Sequence, residues 1–268
     1  MISRMVRTIG RGIFEKVLTI PLIARILISH VCFSDRSAQI VLSLVSSMAN
    51  SNEKAAPYFV VIGACDGRRF DTITPWLHRI PTARAILVEP IPWLARELRF
   101  NYSDERRFAI EPVAIAEHTG SIAMKAVSER AIKSNLVPDF ARGLSSITDR
   151  NLISGKDFFG RANVIPEIVD NVEILTVECI TLKDLLSKHC VQAIDVLMID
   201  SEGYDWNIIK QFDFSRYRPI IIKMEVGSLP PEELGNSVEL LLRNGYSVQI
   251  SAVDLIAVDK ELRGLLKR

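Results

Sequence analysis

Several common signatures are missing from this chain, and each absence closes off a class of function. The 268 residues carry a formal net charge of only +1. A general nucleic-acid binder needs a clear basic excess to neutralise phosphates, so none is expected as a partner. The four cysteines, Cys32, Cys65, Cys179 and Cys190, include no CxxC pair. That removes the zinc ribbon and the thioredoxin motif. They read as small, largely buried apolar residues of a reducing, cytoplasmic compartment, and neither a metal nor a disulfide is expected. No internal repeat or low-complexity tract interrupts the chain. No GxGxxG is present, so the nicotinamide-dinucleotide fingerprint is incomplete.

A clean membrane span is also lacking. The apolar run from Val17 to Phe33 is broken by Pro21 and Arg25, and a span needs about 20 apolar residues. Arg4, Arg7, Arg11, Lys16 and Arg25 lie among apolar residues without the order of a signal peptide. One reading of residues 1–33 is an amphipathic helical cover on the domain. The other is a basic segment lying on an anionic membrane face, which would make the protein membrane-associated. Residues 1–57 form a helical extension on this reading, ending in the polar linker before Pro57.

What is present is an alternation of short apolar runs and helical stretches from Tyr58 onward. Strands are predicted at Tyr58–Ile62, Ala85–Val88, Phe108–Ile115, Val172–Val177, Ile194–Ile199 and Pro219–Met224. Helices are predicted at Asp71–Arg79, Pro92–Phe100, Leu182–Ser187, Tyr204–Lys210 and Pro231–Arg243. Ser121–Ala126 reads as an edge strand, and Tyr246–Ile250 with Leu255–Val258 as a closing pair. Such alternation predicts an α/β domain over residues 58–268: a doubly wound, Rossmann-like sheet, mostly parallel, with a closing antiparallel strand. Residues 128–168, rich in Ser, Arg, Asn, Gly and Pro, form an insertion. Insertions of this length commonly carry function.

Four segments carry chemistry. Val60-Val-Ile-Gly63-Ala64-Cys-Asp66-Gly67 is a buried strand running into a tight glycine turn, where a doubly wound fold binds its ligand. An acid in that turn is unwelcome beside a pyrophosphate and welcome beside the cationic amino-acid end of S-adenosyl-L-methionine. Glu89-Pro90 ends the second strand, where a carboxylate accepts from ribose hydroxyls. Val113 and Ala114 end the third and would border an adenine ring. The fourth, Asp200-Ser-Glu202-Gly203-Tyr-Asp205, follows an apolar central strand. Two acids there are costly unless paired or used; capping of the following helix by Asp200 or Ser201 is the plainer alternative.

Together these segments resemble the FkbM-type methyltransferases. The motifs are Gly63-Ala-Cys-Asp-Gly67, Glu89-Pro90, Leu144-Ser145-Ser146, Met198-Ile-Asp200-Ser-Glu202-Gly203-Tyr-Asp205 and Lys223-Met-Glu225. Met198 stands where the family usually has Lys, and Asp205 where it has Glu. The resemblance implies methyl transfer from S-adenosyl-L-methionine, often to a hydroxyl of a sugar, glycan or secondary metabolite. Asp200, Glu202 and Glu225 are the candidate catalytic residues. Gly63, Ala64, Asp66, Gly67, Glu89, Pro90, Val113 and Ala114 are candidates for the cofactor. Arg142, Ser145 and Ser146 of the insertion are candidates for the acceptor. A nicotinamide-dependent oxidoreductase and a catalytically silent binding domain remain the alternatives.

Overall fold

The structure, a computed structural model, describes residues 56–69, 76–104, 106–155, 164–251 and 253–261. The N-terminal segment discussed above lies almost wholly outside the described residues. Strand β1 (Tyr58–Ile62) is followed by helix α1 (Trp76–Arg79), β2 (Arg84–Val88), α2 (Pro92–Asn101) and β3 (Phe108–Glu111). Phe59, Val60 and Val61 are wholly buried, because helices cover both faces of a parallel sheet and leave no solvent side for alternation. Proline opens α2 at its first position, where a missing N–H costs nothing.

The predicted third strand is corrected at Pro112. Phe108–Glu111 stays in the main sheet, while β4 (Ala114–Ile115) pairs with a different sheet. Proline has no N–H to donate to a ladder, so the strand divides there. β5 (Gly120–Val127) then leads into the insertion. This contains α3 (Glu129–Lys133), a 3-10 turn (Asp139–Gly143), β6 (Ser145–Ser146), a second 3-10 turn (Leu152–Ser154) and α4 (Pro166–Val169). β7 (Val172–Ile180) closes a four-stranded sheet of order β4-β7-β5-β6. β5 is therefore no edge strand, since it pairs on both sides. The insertion has its own apolar cluster, built on Val127, Ala131, Ala141, Leu144, Ile153 and Ile168.

The chain returns through α5 (Leu182–Lys188), whose Thr181 hydroxyl caps it by accepting from the Asp184 amide at 3.0 Å. Then come β8 (Val196–Ile199), α6 (Asp205–Ile209), β9 (Ile221–Glu225), α7 (Pro231–Arg243), β10 (Tyr246–Ser251) and β11 (Asp254–Asp259). The main sheet has seven strands in the order β10-β11-β9-β8-β1-β2-β3. β11 alone runs antiparallel, slotted between β9 and β10. This is the doubly wound class anticipated from the sequence. Its order reverses between β1 and β8, and such a switch point opens a crevice at the carboxyl ends of the strands.

Register decides what lines that crevice. Ile62 pairs with Val88 on one side and Ile199 on the other, and Ile199 pairs with Met224. The next residue on each strand is Gly63, Glu89, Asp200 and Glu225. These four consequently form one row along the sheet's rim.

Candidate active site

A cleft of about 290 Å³ opens along this row, at the small end of ligand sites. Its walls include Gly63, Glu89, Pro90, Val113, Ala114, Ser145, Asp200, Glu202 and Glu225. Gly63 adopts φ +81, and a Cβ there would sit 1.8 Å from the Asp200 carbonyl oxygen. Only glycine permits β1 and β8 to end so close together. Gly67 is required for a different reason: a Cβ would lie 2.3 Å from the Tyr102 ring. Tyr102 donates its hydroxyl to the Gly67 carbonyl at 2.8 Å, tying the turn to the end of α2.

Glu89 is held at both of its carboxylate oxygens. Its Oε2 accepts from the Cys65 amide at 2.9 Å and its Oε1 from the Ile91 amide at 2.8 Å. Cys65 offers that amide from a left-handed φ of +50, a conformation of uncommon cost for a residue with a side chain. Burial raises the Glu89 carboxyl to about 7, against the pull of the two amides. Each carboxylate oxygen still has acceptor capacity beyond its amide.

Asp66 is placed differently from the sequence expectation. Its Oδ1 accepts from the amides of Arg68 and Arg69, both at 2.9 Å. Its Oδ2 faces Arg142 Nη1 at 3.5 Å and Arg69 Nε at 3.6 Å. The carboxylate thus closes its own turn and does not line the cleft. Ala64 and Gly67 shape the turn from behind the wall. Arg142, expected at the acceptor, instead pairs with Glu97 at 2.6 Å. It clasps the 3-10 turn of the insertion onto α2. Ser145 does line the cleft. Ser146 faces away from it, donating to the Glu202 carbonyl at 2.8 Å.

The other end of the row is crowded with acids. Asp200 directly ends β8. Glu202 is held in the left-handed region at φ +53, and its Oε2 accepts from Asn151 Nδ2 at 3.1 Å. Burial and the neighbouring Asp200 lift its carboxyl to about 8. Asp205 accepts from the amides of Ser201 and Gly203 at 3.3 and 3.2 Å. Burial raises it to about 6. The helix cap anticipated from Asp200 or Ser201 is therefore corrected: Asp205, inside α6, reaches back to the loop. Glu225 accepts from the Gly227 amide and from Ser228 N–H at 3.4 Å. Burial, with Asp205, Glu202 and Asp200 nearby, pushes it well above the usual carboxylate range.

Sequence reading assigned no site role to three residues here. Asn151, fully buried, and Arg150, which donates to the Gly203 carbonyl at 3.1 Å, both fix the Glu202–Gly203 loop from the insertion. Lys223 lines the cleft and pairs with Asp254 Oδ1 at 2.9 Å. A lysine inside the apolar strand predicted at Pro219–Met224 was the available signal. Among the described residues, no group of three or more His, Cys, Asp or Glu side chains is arranged to hold a metal ion.

Comparison with known proteins decides the family. The model of the methyltransferase FkbM domain matches residues 62–248. The chain belongs to the FkbM methyltransferase family. Among solved structures, the FkbM chain is similar to a fibrillarin pre-rRNA processing protein of Methanococcus jannaschii, with 11% identity, a TM-score of 0.38, and 77% of this chain and 68% of that one covered. It is similar to a precorrin-6y C5,15-methyltransferase from Geobacter metallireducens, with 13% identity, a TM-score of 0.36, and 87% and 96% covered. A mitomycin 7-O-methyltransferase gives 14% identity, a TM-score of 0.34, and 82% and 54% covered. A search of curated proteins finds no match. Strand order, rather than these distant likenesses, defines the fold class of the FkbM domain. Among its described residues, no helix is long and apolar enough to cross a membrane.

Proposed function

We propose that this FkbM methyltransferase uses S-adenosyl-L-methionine to methylate a hydroxyl of a sugar, glycan or secondary metabolite. The observation that carries the reading is Glu89, buried at the end of β2 with both oxygens fixed by backbone amides. A carboxylate so oriented is preorganised to accept from a ribose diol. Bare backbone at Gly63 allows close approach of a ligand. Val113 and Ala114 offer an apolar wall suited to an adenine ring.

When bound, the cofactor supplies a methyl group on a sulfonium. The chain's own contribution is alignment and proton handling. Asp200, ending the central strand beside Gly63, is the base in this reading and accepts the proton of an acceptor hydroxyl. Glu202, raised to about 8, stays neutral at pH 7 and holds loops instead. Ser145 and the insertion supply the far wall, and Lys223 the floor. Calorimetric titration with S-adenosyl-L-methionine tests the cofactor half, and transfer of labelled methyl to a glycan or lipid extract tests the acceptor half. Absence of cofactor binding in the intact chain would sink the reading.

A further inference from the structure

The glycine turn presents the opposite charge from the one its sequence promises. Asp66 is almost fully enclosed, its side chain only 4% exposed, and it spends its oxygens on two amides and two guanidinium groups. The charged side chain that the turn delivers to the cleft wall is Arg69. Its Nε lies 3.6 Å from Asp66 Oδ2 and its Nη1 donates to Asp139 Oδ1 at 2.9 Å. It remains half exposed, at 49%. A guanidinium has five N–H donors in a fixed fork, so two acids can steady it and leave donors for a ligand.

The charged residues of the cleft wall fall into two groups. Glu89, Asp200, Glu202, Glu225 and Asp254 are acids; Arg69 and Lys223 are the cations among the described lining residues. Lys223 stands on β9, two strands from β1 in the sheet, and is engaged with Asp254. Arg69 follows the β1 turn itself. A ligand that places an amino-acid tail beside that turn has one anionic group to settle, and Arg69 is the cation at that end.

We propose that Arg69 grips the terminal carboxylate of the cofactor's amino-acid tail, with Asp66 and Asp139 as the residues that position it. Planar, bidentate recognition of carboxylate is what a guanidinium does better than an ammonium. The Asp139 contact adds a coupling, because Asp139 opens the 3-10 turn whose Phe140 and Gly143, with Leu144 just after it, also line the cleft. The inference rests on the cofactor reading above.

The test is a pair of nucleosides that differ in the tail: S-adenosylhomocysteine, which carries it, and 5′-methylthioadenosine, which does not. Affinities are measured by calorimetry on the full chain, for wild type, Arg69→Ala, Arg69→Lys and Lys223→Met. Arg69→Ala is expected to weaken S-adenosylhomocysteine at least tenfold and to leave 5′-methylthioadenosine within twofold. Retained binding of the second ligand shows that the turn is still folded. Arg69→Lys should fall between. If Arg69→Ala weakens both ligands equally, or neither, the assignment is overturned. A tail-selective loss in Lys223→Met but not in Arg69→Ala overturns it in favour of Lys223. Wild-type protein that binds both nucleosides with equal affinity overturns it as well. Wild-type protein that binds neither overturns the cofactor reading itself, and the Arg69 assignment falls with it.

Discussion

The two halves of the rim use the same ingredients, buried carboxylates at strand ends held by backbone amides, and differ in how many acids share each end. At the β1–β2 end, Glu89 stands alone between two amides of ordinary length. At the β8–β9 end, Glu202, Asp205 and Glu225 are raised by burial, and Glu202 and Glu225 also by acidic neighbours, beside Lys223, the one buried cation among the described residues. The first arrangement fixes one orientation for a ligand. The second makes the local charge depend on how many protons the cluster holds. A methyl donor calls for fixed geometry, whereas removing a proton from a hydroxyl calls for an adjustable one.

Four changes would sharpen or break this contrast. The largest effect is expected from Asp200→Asn, which should cut turnover by about 10²–10⁴-fold with cofactor affinity little changed. Normal turnover on a verified acceptor would make Asp200 structural. Next comes Gly63→Ala. It forces a Cβ against the Asp200 carbonyl at a positive φ, and should cost about 2–4 kcal/mol of stability from strain and overpacking. Denaturant unfolding measures this, and an unshifted midpoint would mean the strand ends give way easily.

Glu89→Ala should weaken cofactor binding by about 1.5–3 kcal/mol, the worth of hydrogen bonds to a charged acceptor. Calorimetry showing equal affinity would remove the ribose assignment. The smallest effect is a slope. Glu202 rises from 4.5 to about 8 on folding, so between those values the folded state binds more protons than the unfolded one. Stability contributed by the protonated form is complete at low pH and is lost as pH rises through that window. Glu202→Gln cannot ionise, so it should gain melting temperature relative to wild type on going from pH 5 to pH 9. Parallel pH profiles for the two proteins would argue against a buried neutral Glu202.

Much of this rim was legible because apolar strands announce where they stop. Ile62, Val88 and Ile199 each precede a residue of another chemical kind, and register then aligns those residues without further information. Pro112 was also visible, but its effect was not: a proline can end a strand or sit at its edge, and only the second sheet shows which. Asp66 was misplaced for a local reason. An Asp two and three residues before unpaired amides tends to cap them itself, and this competed with the ligand role. Arg150 and Asn151 were invisible because their partners are remote. Arg150 meets Glu233 at 2.6 Å across 83 positions of sequence, and nothing in either neighbourhood marks the pair.

The slot occupied by β11 has a consequence for the order in which the molecule assembles. β10 precedes β11 in the chain, yet it touches the sheet only through β11. It cannot dock on β9 first without blocking the place β11 must take. β9 must therefore receive β11 either ahead of β10 or in the same step as a preformed hairpin. The Lys223–Asp254 floor, which spans β9 and β11, is completed only in that step. By contrast, the Gly63–Glu89 end needs the parallel pair of β1 and β2, whose partners such as Tyr58 and Arg84 lie further apart in sequence than Tyr246 and Asp259 of the β10–β11 hairpin, and longer-range pairings form more slowly. Time-resolved hydrogen exchange during refolding should never protect the amides of β10 ahead of those of β11.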